Sequence, residues 1–192
     1  MTTETKERDL QEIGANAYAS ICEMVAALEC DYDRLNDLSA EKADLIIATE
    51  AEDDTERAGA RVALAEWIQE NGEELKELTE SAGECESRED AEQRIQEDPL
   101  SLEVRSGWTT LDEPLQAEEF NILLATGGPA VRIMGELDQG QPTRAWLEVQ
   151  DWFTPWTQYH GVTDPNDLGA RINLPSQDVL LAYASQFYFG EG

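Results

Sequence analysis

The chain has 192 residues, of which 41% are hydrophobic, and it carries 42 Asp and Glu against 13 Lys and Arg, a formal net charge of -29. That apolar fraction is enough for one compact domain, or for a helical segment joined to a small mixed one, and it excludes disorder throughout. The charge repels nucleic acid and anionic membrane, so neither is expected as a direct partner.

No stretch approaches the roughly 18 consecutive apolar residues of a membrane span, and Met1 to Leu10 is too polar for a signal peptide. Cys22, Cys30 and Cys85 are odd in number and form no CxxC pair, which fits a reducing compartment and removes the common zinc patterns. The expectation is a protein of the cytoplasm, with no membrane partner.

Residues 1–98 read as an acidic helical region. The first helix is marked by Leu10, Ile13, Ala17, Ile21, Met24, Val25 and Leu28, which step by three or four, while Asp9, Glu12, Glu23 and Glu29 fall off that stripe. A second helical region spans Asp31 to about Asp53, with Leu35, Leu38, Leu45 and Ile46 as core candidates and a break expected near Ser39. A third runs from about Thr55 through Ile68 and is expected to stop at Asn71-Gly72, because glycine accepts the left-handed conformation that closes a helix. Glu73 to Ser81 then makes a short fourth helix ended by Gly83. Ser87, with Asp90 three residues on, opens a fifth that ends before Pro99.

Residues 99–192 change period. Leu102 to Ser106, Phe120 to Ala125, Val131 to Leu137 and Thr143 to Asp151 read as strands of a three- or four-stranded antiparallel meander, with turns at Thr126-Gly127-Gly128-Pro129 and at Asp138 to Pro142. In the last strand Ala145, Leu147 and Val149 alternate with Arg144, Trp146 and Glu148. Trp152 to Leu174 reads as a long loop. A helix from Ser176 to Tyr188, with Val179, Leu180, Tyr183 and Phe187 on one face, is expected to cover the sheet. The fold class is therefore α+β: acidic N-terminal helices, an antiparallel sheet and a C-terminal helix.

Residues 1–100 hold 29 acids and 9 bases, and residues 101–192 hold 13 acids and 4 bases. The densest segment contributes Glu41, Asp44, Glu50, Glu52, Asp53, Asp54, Glu56, Glu66, Glu70, Glu73, Glu74, Glu77, Glu80, Glu84, Glu86, Glu89 and Asp90. Like charges three or four apart on a helix oppose folding by a few tenths of a kcal/mol per pair. Solubility needs a net charge of only about 2 to 8 for a small domain. Duplex DNA carries one charge per roughly 1.7 Å of axis, so carboxylates on two or three helical faces approach its density and form the candidate partner-binding surface. Solvated helix faces and halophilic adaptation are the competing explanations of the same composition.

No catalytic motif emerges. Gly127-Gly128 lacks the phosphate-loop patterns, and Asp164-Pro165-Asn166-Asp167 lacks the Gly and Glu of a calcium loop and reads as a turn. His160 is the only histidine, so neither a two-histidine metal site nor a relay between histidines can be built in one chain. No metal, cofactor or enzymatic activity is expected. The aromatics Trp146, Trp152, Phe153, Trp156 and Tyr159 have two readings. Trp152, Phe153 and Trp156 form a docking or homodimer contact, or, as the favoured reading, the rings pack beneath the C-terminal helix.

The stretches SICEMVAALECDYDRL (Ser20 to Leu35), IQEDPLSLEVRS (Ile95 to Ser106), LLATGGPAVRIMGELD (Leu123 to Asp138), RAWLEVQDWFTPWTQY (Arg144 to Tyr159) and the ending QDVLLAYASQFYFGEG resemble an uncharacterised family of acidic proteins of bacterial plasmids, integrative elements and phages. The likeness covers most of the chain, with a variable middle around residues 40–90, and brings no catalytic residue to transfer. By context and composition it implies a DNA-mimicking antirestriction or anti-CRISPR protein, whose partner is a nucleic-acid-binding protein with a basic groove: a CRISPR effector or a restriction enzyme. The rivals are an acidic binding module or chaperone for a basic protein without DNA mimicry, and an enzyme using carboxylates with a divalent metal.

Overall fold

The computed structural model describes residues 3–111, 115–152, 154–164, 166 and 170–190, with side chains from Leu10 onward. The fold is α+β: helices, then an antiparallel sheet, then a C-terminal helix. Two compact units divide the chain, one of Met1–Val25 with Glu92–Gly192 and one of Ala26–Ala91.

Helix α1 spans Thr3–Glu29. Its stripe residues Ile21, Met24, Val25 and Leu28 are buried, Leu10, Ile13 and Ala17 are half-buried, and Glu12, Glu23 and Glu29 face water. Asp31 accepts from the backbone N–H of Arg34 at 3.0 Å and so caps α2, Tyr32–Ala48. The break expected near Ser39 does not occur. Leu38 beside it is fully buried and pins the middle of the helix, while Ser39 lies exposed, and serine in a helix interior costs only a fraction of a kcal/mol.

Asp53 accepts from the N–H groups of Thr55 and Glu56 at 2.8 and 3.0 Å and opens α3, which runs unbroken over Asp54–Ala82. The stop expected at Asn71-Gly72, and the separate helix after it, are therefore corrected. Asn71 turns its side-chain amide back to the carbonyl of Trp67 at 3.2 Å, and Gly72 is carried by strong helix formers on both sides at a cost of about 1 kcal/mol. The glycine that does close the helix is Gly83, at φ 58°, its N–H bonded to the Thr79 carbonyl. Ser87 accepts from the Asp90 N–H at 3.1 Å, as expected, and α4 follows at Arg88–Glu97.

In the larger unit, β1 (Ser101–Ser106), β2 (Ala117–Ala125), β3 (Ala130–Asp138), β4 (Gln141–Gln150) and β5 (Thr157–Gln158) pair antiparallel in sequence order. The fifth strand is an addition to the three or four expected. It is a two-residue pairing against Glu148 and Val149, too short to show a period. The β3–β4 turn places Gln139 at φ 50° and Gly140 at φ 77°, two consecutive left-handed residues of the kind that match the twist of a two-residue hairpin. Within the expected long loop, β6 (Val162–Thr163) and β7 (Arg171–Ile172) form a small ribbon. Asp164 accepts from the Asn166 N–H at 2.7 Å, the start of the predicted turn, whereas Pro165 and Asp167 lie outside the described residues.

Alternation along the strands sorts two faces. Phe120, Ile122, Ile133, Ala145, Leu147 and Val149 are buried on one, and α5 (Gln177–Ala184) packs there, burying Leu180, Tyr183 and Ala184. Tyr183 donates to Asp98 Oδ2 at 2.5 Å, and the Tyr18 hydroxyl of α1 accepts from the Ser176 N–H at 2.7 Å. Residues of the other parity form the opposite face.

Candidate functional site

Residues Ala26–Ala91 contain 21 Asp and Glu against 6 Lys and Arg, so about half of the chain's net charge sits on a third of its length. Helices α2 and α3 form its antiparallel pair. Two contacts join them directly, Arg34 to Glu74 and Trp67 Nε1 to Glu41 Oε2 at 3.0 Å, and two flank them, Cys30 Sγ to the Leu78 carbonyl at 3.5 Å just before α2 and Arg57 Nη1 to the Ala51 carbonyl at 2.8 Å in the turn between the helices. In every pair the two residue numbers add to the same total, so the helices run past each other without slipping. The seam steps by three and four through Leu35, Leu38, Lys42 and Leu45 on α2 and through Ala60, Leu64, Trp67, Asn71, Leu75 and Leu78 on α3, all buried or half-buried.

Asp33, Asp37, Glu41 and Asp44 follow one another along α2 by four, four and three residues, and Glu66, Glu70, Glu73, Glu77 and Glu80 along α3 by four, three, four and three. At about 100° per residue each series is a single column roughly a third of a turn from the seam. The Arg34–Glu74 and Glu41–Trp67 contacts mark the side of the seam on which residues of both helices meet, and both columns fall on that side. The same rotation sends Arg57 and Arg61 toward the other side, where Arg57 also pairs with Asp54, and leaves Lys42 half-buried on the seam between Leu38 and Leu45. Most acids of the pair thus share one broad face, and a second cation meets that face at Lys76, whose Nζ lies 3.8 Å from Glu80 Oε1.

The α3 column covers about 21 Å with five carboxylates and the α2 column about 16 Å with four, at 1.5 Å of rise per residue. Together they carry roughly one charge per 2.6 Å of length, about two thirds of the linear density of duplex DNA. Arg34 is a cation on this face, and it is neutralised in place. Its Nε and Nη2 donate to the two carboxylate oxygens of Glu74 at 2.9 and 2.7 Å, which holds the Glu74 carboxyl below the usual range and raises the guanidinium.

Every one of the acids expected to bind a partner is exposed, but they do not form one surface. Glu41, Asp44, Glu66, Glu70, Glu73, Glu74, Glu77 and Glu80 are brought together. Glu50 and Glu52 lie in the α2–α3 turn, Asp53 caps α3 with its carboxyl held low by two backbone N–H bonds, and Asp54 and Glu56 occupy the first turn. Glu84 and Glu86 belong to the α3–α4 link, and Glu89 and Asp90 to the first turn of α4, where Asp90 accepts from the Glu86 N–H at 3.2 Å. Asp33 and Asp37 were not expected, although their four-residue spacing to Glu41 is visible in the sequence.

The aromatics divide. Tyr159 is buried, its ring 6.5 Å from that of Tyr18 and its hydroxyl donating to the Asn173 carbonyl at 3.0 Å. Trp146 and Trp156 do not pack beneath the C-terminal helix, because both lie on the opposite face of the sheet, half-buried. There Glu148 accepts from Trp146 Nε1 at 2.9 Å and from Arg132 Nε at 2.8 Å, and the Arg132 guanidinium stacks 4.2 Å from the Trp156 ring. Trp152 is exposed beside Gly128, and Phe153 lies outside the described residues. Among the described residues no three His, Cys, Asp or Glu side chains gather as a metal site, and no helix is long and apolar enough to cross a membrane.

Fold and surface together define an α+β protein bearing an acidic two-helix face. A scan of protein-family models, a search of curated proteins and a search of solved structures each return no match to the chain.

Proposed function

We propose that the chain is a non-catalytic, DNA-mimicking inhibitor that occludes the nucleic-acid groove of a host defence protein such as a CRISPR effector or a restriction enzyme, in the bacterial cytoplasm. The observation that carries this reading is the alignment of charge: two parallel columns of carboxylates share one face of α2 and α3, with only Arg34 and Lys76 among the described bases of the pair bound to acids of that face. A solvated face of an amphipathic pair carries acids too, and the two readings part on whether duplex DNA competes for the same partner. A groove built to read two phosphate strands presents bases to both columns at once. The resemblance to acidic proteins of mobile elements points the same way.

The test is competition. The chain, bound to a panel of restriction enzymes and CRISPR effectors, is titrated with duplex DNA at several salt concentrations. Mutual displacement with a steep salt dependence is expected, and a quadruple change of Glu66, Glu70, Glu73 and Glu77 to Gln weakens binding far more than the same change at Glu50, Glu52, Glu84 and Glu86. Simultaneous binding of DNA and the chain overturns mimicry and favours an acidic module for a basic protein. Equal effects of the two quadruple variants overturn the assignment of the face.

A further inference from the structure

The outer strand of the sheet, β1, has its inward-facing residues in water. Val104 pairs with Phe120 and Leu102 with Ile122, so they continue the core face, yet Leu102 is 46% and Val104 51% exposed. Leu100, just before the strand, is 58% exposed, and Trp108, just after it, is fully exposed. An edge strand of this kind combines unpaired backbone groups with an unfinished apolar row.

We propose that a second copy of β1 completes the edge, joining two five-stranded sheets into one across a two-fold axis. Such an axis keeps each residue on its own face of the sheet, so residues pair only with partners of the same parity, and the permitted registers differ by steps of two. Centred on Val104, the pairing sets Val104 against its copy, Glu103 against Arg105 twice, Leu102 against Ser106 twice and, continued one or two residues past the strand ends, Leu100 against Trp108 twice. Centred on Glu103 it opposes Glu103 to itself, and centred on Arg105 it opposes the two Arg105 guanidiniums. Centred on Leu102, it leaves Arg105 opposite Pro99.

One register therefore satisfies the charges and pairs Val104, Leu100 and Trp108 with apolar partners, and it requires the strand's own sequence on the other side. The groups it uses are already held in place: Glu103 accepts from Asn121 Nδ2 at 2.9 Å, and Arg105, still largely exposed, bridges to Glu119. Residues 99–108 hold one acid and one base, so this neutral edge selects no basic partner.

The full chain is tested by sedimentation and light scattering over a concentration series, in about 0.5 M salt so that repulsion between two highly acidic molecules is screened. A concentration-dependent dimer is expected. Arg105→Glu and Glu103→Arg each weaken it by roughly tenfold or more, since each replaces two cross-strand attractions by two repulsions, and the double exchange restores it. Trp108→Ser, at a fully exposed side chain, weakens the dimer and leaves the melting temperature of the dilute, monomeric chain unchanged, which keeps the proposal open to test if a charge variant fails to fold. A monomer at every concentration overturns the proposal, as does a dimer indifferent to Trp108→Ser, or a well-folded double exchange that stays monomeric.

Discussion

Arg34 grips both carboxylate oxygens of Glu74, at 2.9 and 2.7 Å, on the side of α2 and α3 where the acidic columns lie. Two effects of removing it oppose one another. Arg34→Gln breaks an exposed bridge and lowers the melting temperature slightly, yet it frees a carboxylate and removes a cation from the binding face. Tighter partner binding with a slightly lower melting temperature is the expected outcome, read by calorimetry and thermal melts on the same samples. The stability effect has a sign in pH. Because the Glu74 carboxyl is held low, the bridge contributes fully above the ordinary carboxylate range, and its contribution is lost as pH falls through the lowered value.

Much of this architecture is legible in sequence because it depends on local period. The three-and-four stepping of Ile21, Met24, Val25 and Leu28 and the alternation of Ala145, Leu147 and Val149 fixed a helix and a strand with their buried sides. Gly72 misled because the left-handed conformation that makes glycine a helix stop is an option, and long-range packing of α3 along α2 overrode it. The alignment of the two acidic columns was hidden for another reason. Each column is local, but which sides of two helices coincide depends on their register, which the Arg34–Glu74 and Trp67–Glu41 contacts mark. The Trp146–Glu148–Arg132–Trp156 chain of contacts likewise joins residues from two strands and a loop.

Gly72 supplies a direct check on the continuity of α3. It is half-buried within the helix, has no left-handed φ, and a Cβ built on it meets Ile68 Cγ2 at 3.4 Å, an ordinary contact. Gly72→Ala should therefore stabilise the protein by about 0.5–1 kcal/mol, measured by urea unfolding. A helix that ended here on a left-handed glycine would instead be destabilised by the same change.

Gly135 is the opposite case. It faces Phe120 on β2 and Ala145 on β4, and a Cβ there would come well under 3.0 Å from both the Phe120 ring and the backbone carbonyl of Arg144. The carbonyl belongs to the sheet and cannot rotate away. Gly135→Ala should cost about 1–3 kcal/mol, seen as a lower denaturation midpoint, whereas Gly127→Ser, at a turn position with open space around it, should be limited to the backbone strain of its φ of 110°.

Tyr32 sets an alkaline limit on the helical unit. Its ring is buried and its hydroxyl donates to the Ala27 carbonyl at 2.9 Å; burial, reinforced by Cys85 and Cys30 nearby, pushes its pKa up to about 12. The unfolded chain ionises near 10, so the folded state favours the neutral phenol. Stability from this group is complete below about pH 10 and is lost as pH rises from there toward 12. Tyr183, also raised by burial, adds a loss of the same sign, so the test must be a difference. Tyr32→Phe gives up a hydrogen bond at neutral pH, about 0.5–1.5 kcal/mol, and should then lose less stability than the parent between pH 10 and 12. Parallel stability curves for the two proteins across that window would mean that the Tyr32 hydroxyl reaches water in the folded state.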